Sequence, residues 1–464
     1  MKQPYTKMAL LESAPIPTAL FAMGLPTMFG MMINALYNLV DAYFVGGLGT
    51  SPAGAISIAF PLGQVIVGLG LLFGNGAASY LSRLLGRGDK KTANQVASTA
   101  LYSSIFVGAI LILAAMIFLN PILTCLGATD SIRPYAMSYS RIILMSSIFN
   151  VFNVTMNNIV TSEGAAKTTM LVLLSGAIFN VILDPILIYG FHLGVAGAAL
   201  ATATSQFVST LLYLGYAVGK KSAFRFHLKD CRFTKKIMFE ILKIGIPTMI
   251  FQLLTSLSIA MINDQAKNYG DSVIAAMLPV IRMISVGSLM VFGFMKGFQA
   301  IAGYCYGAKQ YARLREALHT AVLWSTLFCV IYGLITAIFS TEIVSLFTKV
   351  DLEMLLVGQK ALRANGITFM LFGFYTVYSS LFLAMGKAKS GFFLGACRQG
   401  ICLVPVILIL PTLWGLSGIL FAQPIADILS AVITVLMAVP LHQDLTRKIP
   451  GSADPNVNSS NHLH

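Results

Sequence analysis

Residues 15–43 read PIPTALFAMGLPTMFGMMINALYNLVDAY, and Asp41 is the one charge among them. A run this long exceeds the roughly 20 apolar residues that cross a bilayer as a helix. Lys2 and Lys7 precede it as they would in a secretory leader, but it is too long for a leader's apolar core and no small-residue cleavage site closes it. It reads as a retained first span. Similar runs recur near 53–76, 95–118, 137–161, 168–191 and 194–217, then near 240–263, 275–298, 317–340, 361–384, 392–411 and 416–440. Membrane barrel strands would be about ten residues long with alternating polarity, so the pattern predicts an all-α membrane protein of twelve helices. Composition agrees: of 464 residues 57% are hydrophobic and 10% charged, against roughly 45–50% and about 25% in soluble domains.

The first run also starts an internal repeat. Gly24-Leu25-Pro26-Thr27-Met28 returns as Gly245-Ile246-Pro247-Thr248-Met249, a shift of 221 residues. Gly49, Gly76 and Gly86 return as Gly270, Gly297 and Gly307 at the same shift. Gly164-Ala165-Ala166-Lys167 returns as Gly386-Lys387-Ala388-Lys389, and Gly194-Val195-Ala196-Gly197 as Gly415-Leu416-Ser417-Gly418. Each half holds an even number of spans, so both halves enter the membrane from the same side and the repeat is parallel. The expected organisation is an N-terminal segment 1–14, a six-helix lobe 15–217, a basic linker 218–239, a second six-helix lobe 240–440 and a tail 441–464. The tail beyond Gly451 is polar and without periodicity, the pattern of a disordered segment.

Net charge is +14, and its distribution gives the orientation. Of 31 Lys and Arg, 22 fall in the termini, loops and span ends on the linker's side and 6 in those on the opposite side; Arg282, Lys296 and Arg398, on spans, belong to neither count. Cytoplasmic loops carry such an excess, so both termini and the linker are expected inside the cell. No soluble element gathers a basic surface for nucleic acid. None of the six cysteines forms a CxxC pair. There is no HExxH, no phosphate-binding loop ending in GK[ST] and no GxSxG, so neither an enzyme nor ATP-driven chemistry is indicated.

Ionisable groups inside apolar spans are costly and mark function by default. Asp41 lies near the outer end of the first span, where it is either a helix-end residue in water or part of a buried site. Asp184 lies mid-span before Pro185, with Asn180 one turn away on the same face. Thr202 on the sixth span falls at a matching depth, and Asn157 and Asn158 on the fourth lie deeper. Carboxylates beside amide and hydroxyl oxygens can hold a proton or a hard monovalent cation. Arg282 reads as facing a cleft or a carboxylate. Lys296 and Asp264 read as span-end residues that snorkel to water, and Arg398 and Asp427 have no role assigned. Pro26 and Pro247 interrupt the first helix of each half, either for bending or for packing.

These residues together resemble the multidrug and toxic compound extrusion (MATE) transporters over roughly residues 15–440. Pro26, Asp41, Asn157, Asn180, Asp184 and Thr202 stand where the archaeal and DNA-damage-inducible-F-like branch keeps its functional positions. The resemblance implies export of amphipathic, mostly cationic drugs or metabolites in exchange for H⁺ or Na⁺, by rocking of two lobes. It implies a coupling site at Asp41, Asn180, Asp184 and Thr202, substrate contacts at Asp41 and Asn157, and a hinge at Pro26; Arg282 joins the expected substrate contacts as a charge placed to face the cleft. No cofactor beyond the coupling ion is implied; the expected setting is the inner (plasma) membrane, with a monomer acting on small molecules. One departure matters: the branch of norfloxacin exporters carries acids in the seventh and tenth helices, and Ile246–Met261 and Phe369–Ala384 contain none here. Coupling should therefore sit in the N-terminal lobe. The alternatives are a lipid-linked oligosaccharide flippase of the same superfamily, which Arg282, Lys296 and Arg398 leave open, and an exporter dedicated to one endogenous metabolite.

Overall fold

The structure, a computed structural model, describes residues 6–46, 48, 50–126, 130, 132–219, 221–269, 271–346 and 352–448. Residues 1–5 of the N-terminal segment, Gly49 and Gly270 of the repeat, Lys220 of the linker and 449–464 of the tail lie outside them. The N-terminal half is built from α1 (Lys7–Glu12), α2 (Ile16–Gly46), α3 (Thr50–Gly86), α4 (Lys90–Ile117), α5 (Leu119–Cys125), α6 (Arg133–Ser162), α7 (Ala166–Pro185) and α8 (Gly194–Val218). The C-terminal half comprises α9 (Lys235–Lys267), α10 (Asp271–Gly307), α11 (Tyr311–Ile338), α12 (Ser340–Ser345), α13 (Leu352–Phe369), α14 (Phe372–Ala384), α15 (Ala388–Ala396), α16 (Leu403–Trp414) and α17 (Leu416–Arg447). Among the described residues there is no strand. Among the described residues eleven spans are long and apolar enough to cross a membrane, and the pair α13–α14, bent by 51°, makes a twelfth if it is taken as one span. The chain is a multi-pass membrane protein.

Helix ends repeat as the sequence does. Thr50–Gly86 and Asp271–Gly307 share one length and the 221-residue shift, and so do Lys90–Ile117 and Tyr311–Ile338. Several helices outrun their apolar cores: α3, α10 and α17 continue well past the expected edges at 76, 298 and 440. The tenth span, expected unbroken over 361–384, is divided between α13 and α14.

The lobes meet through repeat-related glycines. A Cβ on Gly76 would overlap the carbonyl of Ile241, and one on Gly245 the carbonyl of Leu72, so α3 crosses α9 backbone to backbone. A Cβ on Gly297 would strike Gly24, which places the repeat-related crossing between α2 and α10. Gly86 packs on the Tyr304 carbonyl and Gly307 on the Arg83 carbonyl. Tyr304 is Arg83's own repeat position, so this contact is symmetric in itself. Small residues that let backbones approach are the usual means of helix association in lipid, where no hydrophobic force drives it.

All of these crossings lie on the half of the molecule that carries the linker. Arg83 pairs with Glu240 there at 3.1 Å, Asn75 Nδ2 donates to Thr248 Oγ1 at 2.9 Å, and Ser79 Oγ donates to the Leu383 carbonyl at 2.5 Å. The short helix α1 ties across the same face: Lys7 Nζ donates to Tyr216 at 2.6 Å and to the Lys221 carbonyl at 2.7 Å, while Arg313 reaches the Leu10 and Leu11 carbonyls at 3.5 Å. Buried Glu163 anchors the linker, accepting from Tyr216, from Ser222 Oγ at 2.7 Å and from the Ala223 amide at 2.6 Å. The lobes are sealed on the linker side.

Candidate cation site in the N-terminal lobe

Far from that seal, α2, α6, α7 and α8 converge. Each is an apolar helix that can place one or two polar side chains inward without exposing backbone to lipid. Asp184, at 0% exposure, and Asn180, at 1%, are the deepest. Asn180 Nδ2 donates toward Asp184 Oδ1 at 3.5 Å and Thr202 Oγ1 at 3.4 Å. Asp41, half-buried near the end of α2, lies close enough to Asp184 for the two charges to interact. Pro185 cannot donate to the helix, and the chain widens into a π-helical turn over Ile186–Gly190. Tyr189 of that turn donates to the Phe44 carbonyl at 2.6 Å, fastening it to α2 beside Asp41.

Asp41 Oδ1, Asn180 Oδ1 and Asp184 Oδ2 are buried without any hydrogen-bond donor. Buried polar atoms are normally paired, and an unpaired one is costly. Here all three are acceptors, and no Lys or Arg makes an ion pair with either carboxylate among the described residues. What the cluster lacks is positive charge. A proton or a small hard cation supplies it; a transition metal would want imidazole or thiolate instead.

The structure brings Asp41, Asn180, Asp184 and Thr202 together and adds Tyr139, a half-buried tyrosine near enough to Asp41, Tyr37 and Asp184 for their charges to act on it. Tyr139 was not singled out from sequence, because at the outer edge of an apolar run a tyrosine reads as an interface anchor. Asn157 lies apart. At about 1.5 Å per residue it is about 8 Å from the linker-side end of α6, whereas Asn180 is about 21 Å from that of α7. Asn157 Nδ2 donates to Tyr213 at 3.2 Å and its Oδ1 accepts from Lys296 Nζ at 2.9 Å. Lys296 therefore does not snorkel: α10 runs on to Gly307, which leaves the lysine inside the seam between the lobes. Arg282 is exposed and forms no ion pair among the described residues. Pro26 leaves α2 unbroken; the neighbouring Thr27 hydroxyl donates to the Met23 and Gly24 carbonyls at 2.9 and 3.0 Å.

The C-terminal lobe is organised differently. Arg398 Nε meets Asp427 Oδ1 at 2.7 Å, both side chains nearly fully buried. A cavity of about 120 Å³ opens beside this pair, lined by Phe251, Phe292, Asn365, Gln399 and Gln423 among others.

The model of the MatE family matches residues 26–186 and 247–409, one match to each lobe. The multidrug export protein MepA of Staphylococcus aureus is 29% identical over 436 residues, 94% of this chain and 96% of that protein. Among solved structures, the outward-facing conformation of a multidrug resistance MATE transporter of the MOP superfamily superposes with a TM-score of 0.91 at 25% identity. That superposition covers 96% of this chain and 100% of the other. A MOP superfamily transporter from Pyrococcus furiosus, described by the reversed polarity of its binding pocket, gives 0.90 at 25% identity, covering 96% of this chain and 99% of that one. Twelve spans in two repeated lobes, a family match to each and relatives covering nearly the whole length have one reading: the chain belongs to the MatE family of membrane transporters.

Proposed function

We propose that this transporter exports amphipathic, mostly cationic small molecules across the plasma membrane in exchange for H⁺ or Na⁺, with the ion held at Asp41, Asn180, Asp184 and Thr202. Three buried acceptor oxygens with no donor, on two carboxylates and an amide, carry this reading. The ion and a lipophilic cation compete for the same negative charge. An ion entering from the far side weakens the lobe's hold on cargo, and cargo binding promotes ion release, as reciprocity requires. With the linker in the cytoplasm, the sealed side faces inward and the described conformation is the outward-facing one; Pro26 is the hinge at which α2 bends as the site changes its charge. The working unit is a monomer, each lobe pair being complete in one chain.

The flippase alternative needs free cations to hold a pyrophosphate. Arg398 is committed to Asp427 and Lys296 to Asn157, which leaves Arg282 alone of the three cations and counts against it. The test is uptake of a fluorescent cation into everted vesicles, with pH and Na⁺ gradients imposed one at a time. Uptake driven by one gradient and abolished in Asp184→Asn is expected. Uptake indifferent to both gradients would overturn the exchange mechanism.

A further inference from the structure

The repeat sets the two lobes' polar clusters side by side, and they differ in charge. At the 221-residue shift fixed by Gly194 and Gly415, Thr202 falls on Gln423 and Gln206 on Asp427. The N-lobe carboxylates have no acidic mates. Asp41 falls on Ile262 and, at the 222-residue shift of α7 and α15, Asp184 falls on Val406. The C-lobe's polar cluster thus carries one buried acid, Asp427, on its counterpart of α8, one turn from the mate of Thr202.

One oxygen of that acid is engaged twice. Asp427 Oδ1 accepts from Arg398 Nε at 2.7 Å and from Gln423 Nε2 at 2.9 Å, and the guanidinium lies 4.5 Å from the centroid of Phe372. Arg398 projects from a π-helical turn, Cys397–Ile401, whose Gln399 carbonyl accepts from Ser258. A π turn inserts a residue and rotates what it carries, a device common at functional positions. Arginine does not deprotonate in proteins, so this counterion is permanent. The cavity of about 120 Å³ reaches Arg398, Gln399 and Gln423, which leaves room for water or an ion beside the pair.

We propose that Arg398 is a built-in cation occupying a dormant monovalent-cation site at Asp427, and that it thereby confines ion coupling to the N-terminal lobe. The second half of this statement rests on the N-lobe coupling reading above. With Arg398 removed, Asp427 is left uncompensated beside the Gln423 and Gln399 amides that line the cavity, an oxygen set like that of Asp41, Asp184 and Asn180 with one carboxylate fewer. The other titratable groups around Asp427 are Tyr375 on α14, Cys329 on α11, and Cys397 and Cys402 on either side of the π turn. From α9 and α13 the cavity is lined by uncharged residues, of which Thr255, Ser258 and Asn365 are polar.

Purified full-length protein is titrated with NaCl at fixed ionic strength and, separately, with acid; binding of radioactive Na⁺ and the ion-dependent shift of Tm are both read. In wild type the ion-dependent step is lost with Asp184→Asn. Arg398→Ala in the Asp184→Asn background should regain a saturable ion-dependent step that disappears when Asp427→Asn is added. A folded Arg398→Ala/Asp184→Asn protein with no such step overturns the proposal. Should that protein fail to fold, Arg398→Met/Asp427→Leu removes the pair while keeping volume and neutrality. It should keep the wild-type ion response, and loss of that response overturns the proposal too. A wild-type response in Asp184→Asn alone defeats the N-lobe reading instead, while the Asp427-dependent step is still scored on its own.

Discussion

Asp184 was legible in the sequence because a carboxylate in the middle of an apolar run has no inexpensive explanation, and Asn180 followed from helical spacing. Lys296 was misjudged by the same logic run in reverse. Apolarity ends its span at 298, and only the continuation of α10 to Gly307, with the bond to Asn157, shows the lysine to be interior. Tyr139 and the partner of Arg398 depend on how helices distant in sequence meet, which no local pattern records. Asp184→Asn keeps the side chain's shape and its acceptor oxygen toward Asn180, so stability should change by less than about 1 kcal/mol, as for replacements without cavity or strain. Gradient-driven export should fall about tenfold or more, the size of ordinary coupling energies. A thermal melt alongside vesicle uptake separates the two effects. Asp41→Asn, titrated with a fluorescent lipophilic cation, should bind it with an affinity that no longer responds to pH or Na⁺. A mutant that still responds would move the coupling charge entirely to Asp184.

At the scale of helices, apolar run length was a good guide to existence and a poor one to extent. Hydropathy marks only the stretch in lipid; the polar ends of α3 and α10 pack on each other across the sealed side, whereas that of α17 packs within its own lobe, where His442 meets Tyr378 and Asp444 pairs with Lys387. The bend between α13 and α14 was invisible, since no Pro or Gly occupies 369–372. The glycines were visible as a repeat but their purpose was not; it emerges where a Cβ would meet backbone. Gly76→Ala forces its methyl into the Ile241 carbonyl, and overpacking of this kind costs about 1–3 kcal/mol. Because the strain lies between lobes, it should open the linker-side seal rather than unfold either lobe. The expected result is lower export with cysteines engineered near Asn75 more reactive from the linker side. Gly63→Ala on the same helix meets nothing within 4 Å and should leave both properties unchanged. Pro26→Ala should preserve the fold, since α2 is already continuous, and slow export if α2 must bend there. An unaltered transport rate would reduce Pro26 to packing.

The molecule as a whole is two copies of one lobe, and their duplication could be read from repeated glycine positions at a shift of 221 or 222 residues. What the sequence could not give was the state of the pair: which side is closed depends on contacts between residues more than a hundred positions apart. The closed side is defined by Arg83–Glu240, Asn75–Thr248 and the strap from Lys7 to Arg313. Two native cysteines report its orientation without added mutations. Exposed Cys125 ends α5 on the far side, and partly exposed Cys231 lies in the linker. A membrane-impermeant thiol reagent should label Cys125 in intact cells and Cys231 only in everted vesicles; the reverse would place the seal outside. If the two sides alternate, fixing the seal must stop transport while leaving cargo binding from the far side intact. Asn75 and Thr248 touch through their side chains, one from each lobe, so Asn75→Cys/Thr248→Cys in a background lacking the native cysteines should cross-link under mild oxidation. Disulfide geometry tolerates little displacement, and a cross-link forming in high yield would itself show that the sealed state is well populated. The oxidised protein should bind a fluorescent cation as wild type does yet carry none across vesicles, and reduction should restore transport. Export that continues with the disulfide intact would mean that the lobes need not separate on this side, and alternating access by rocking would be wrong for this protein.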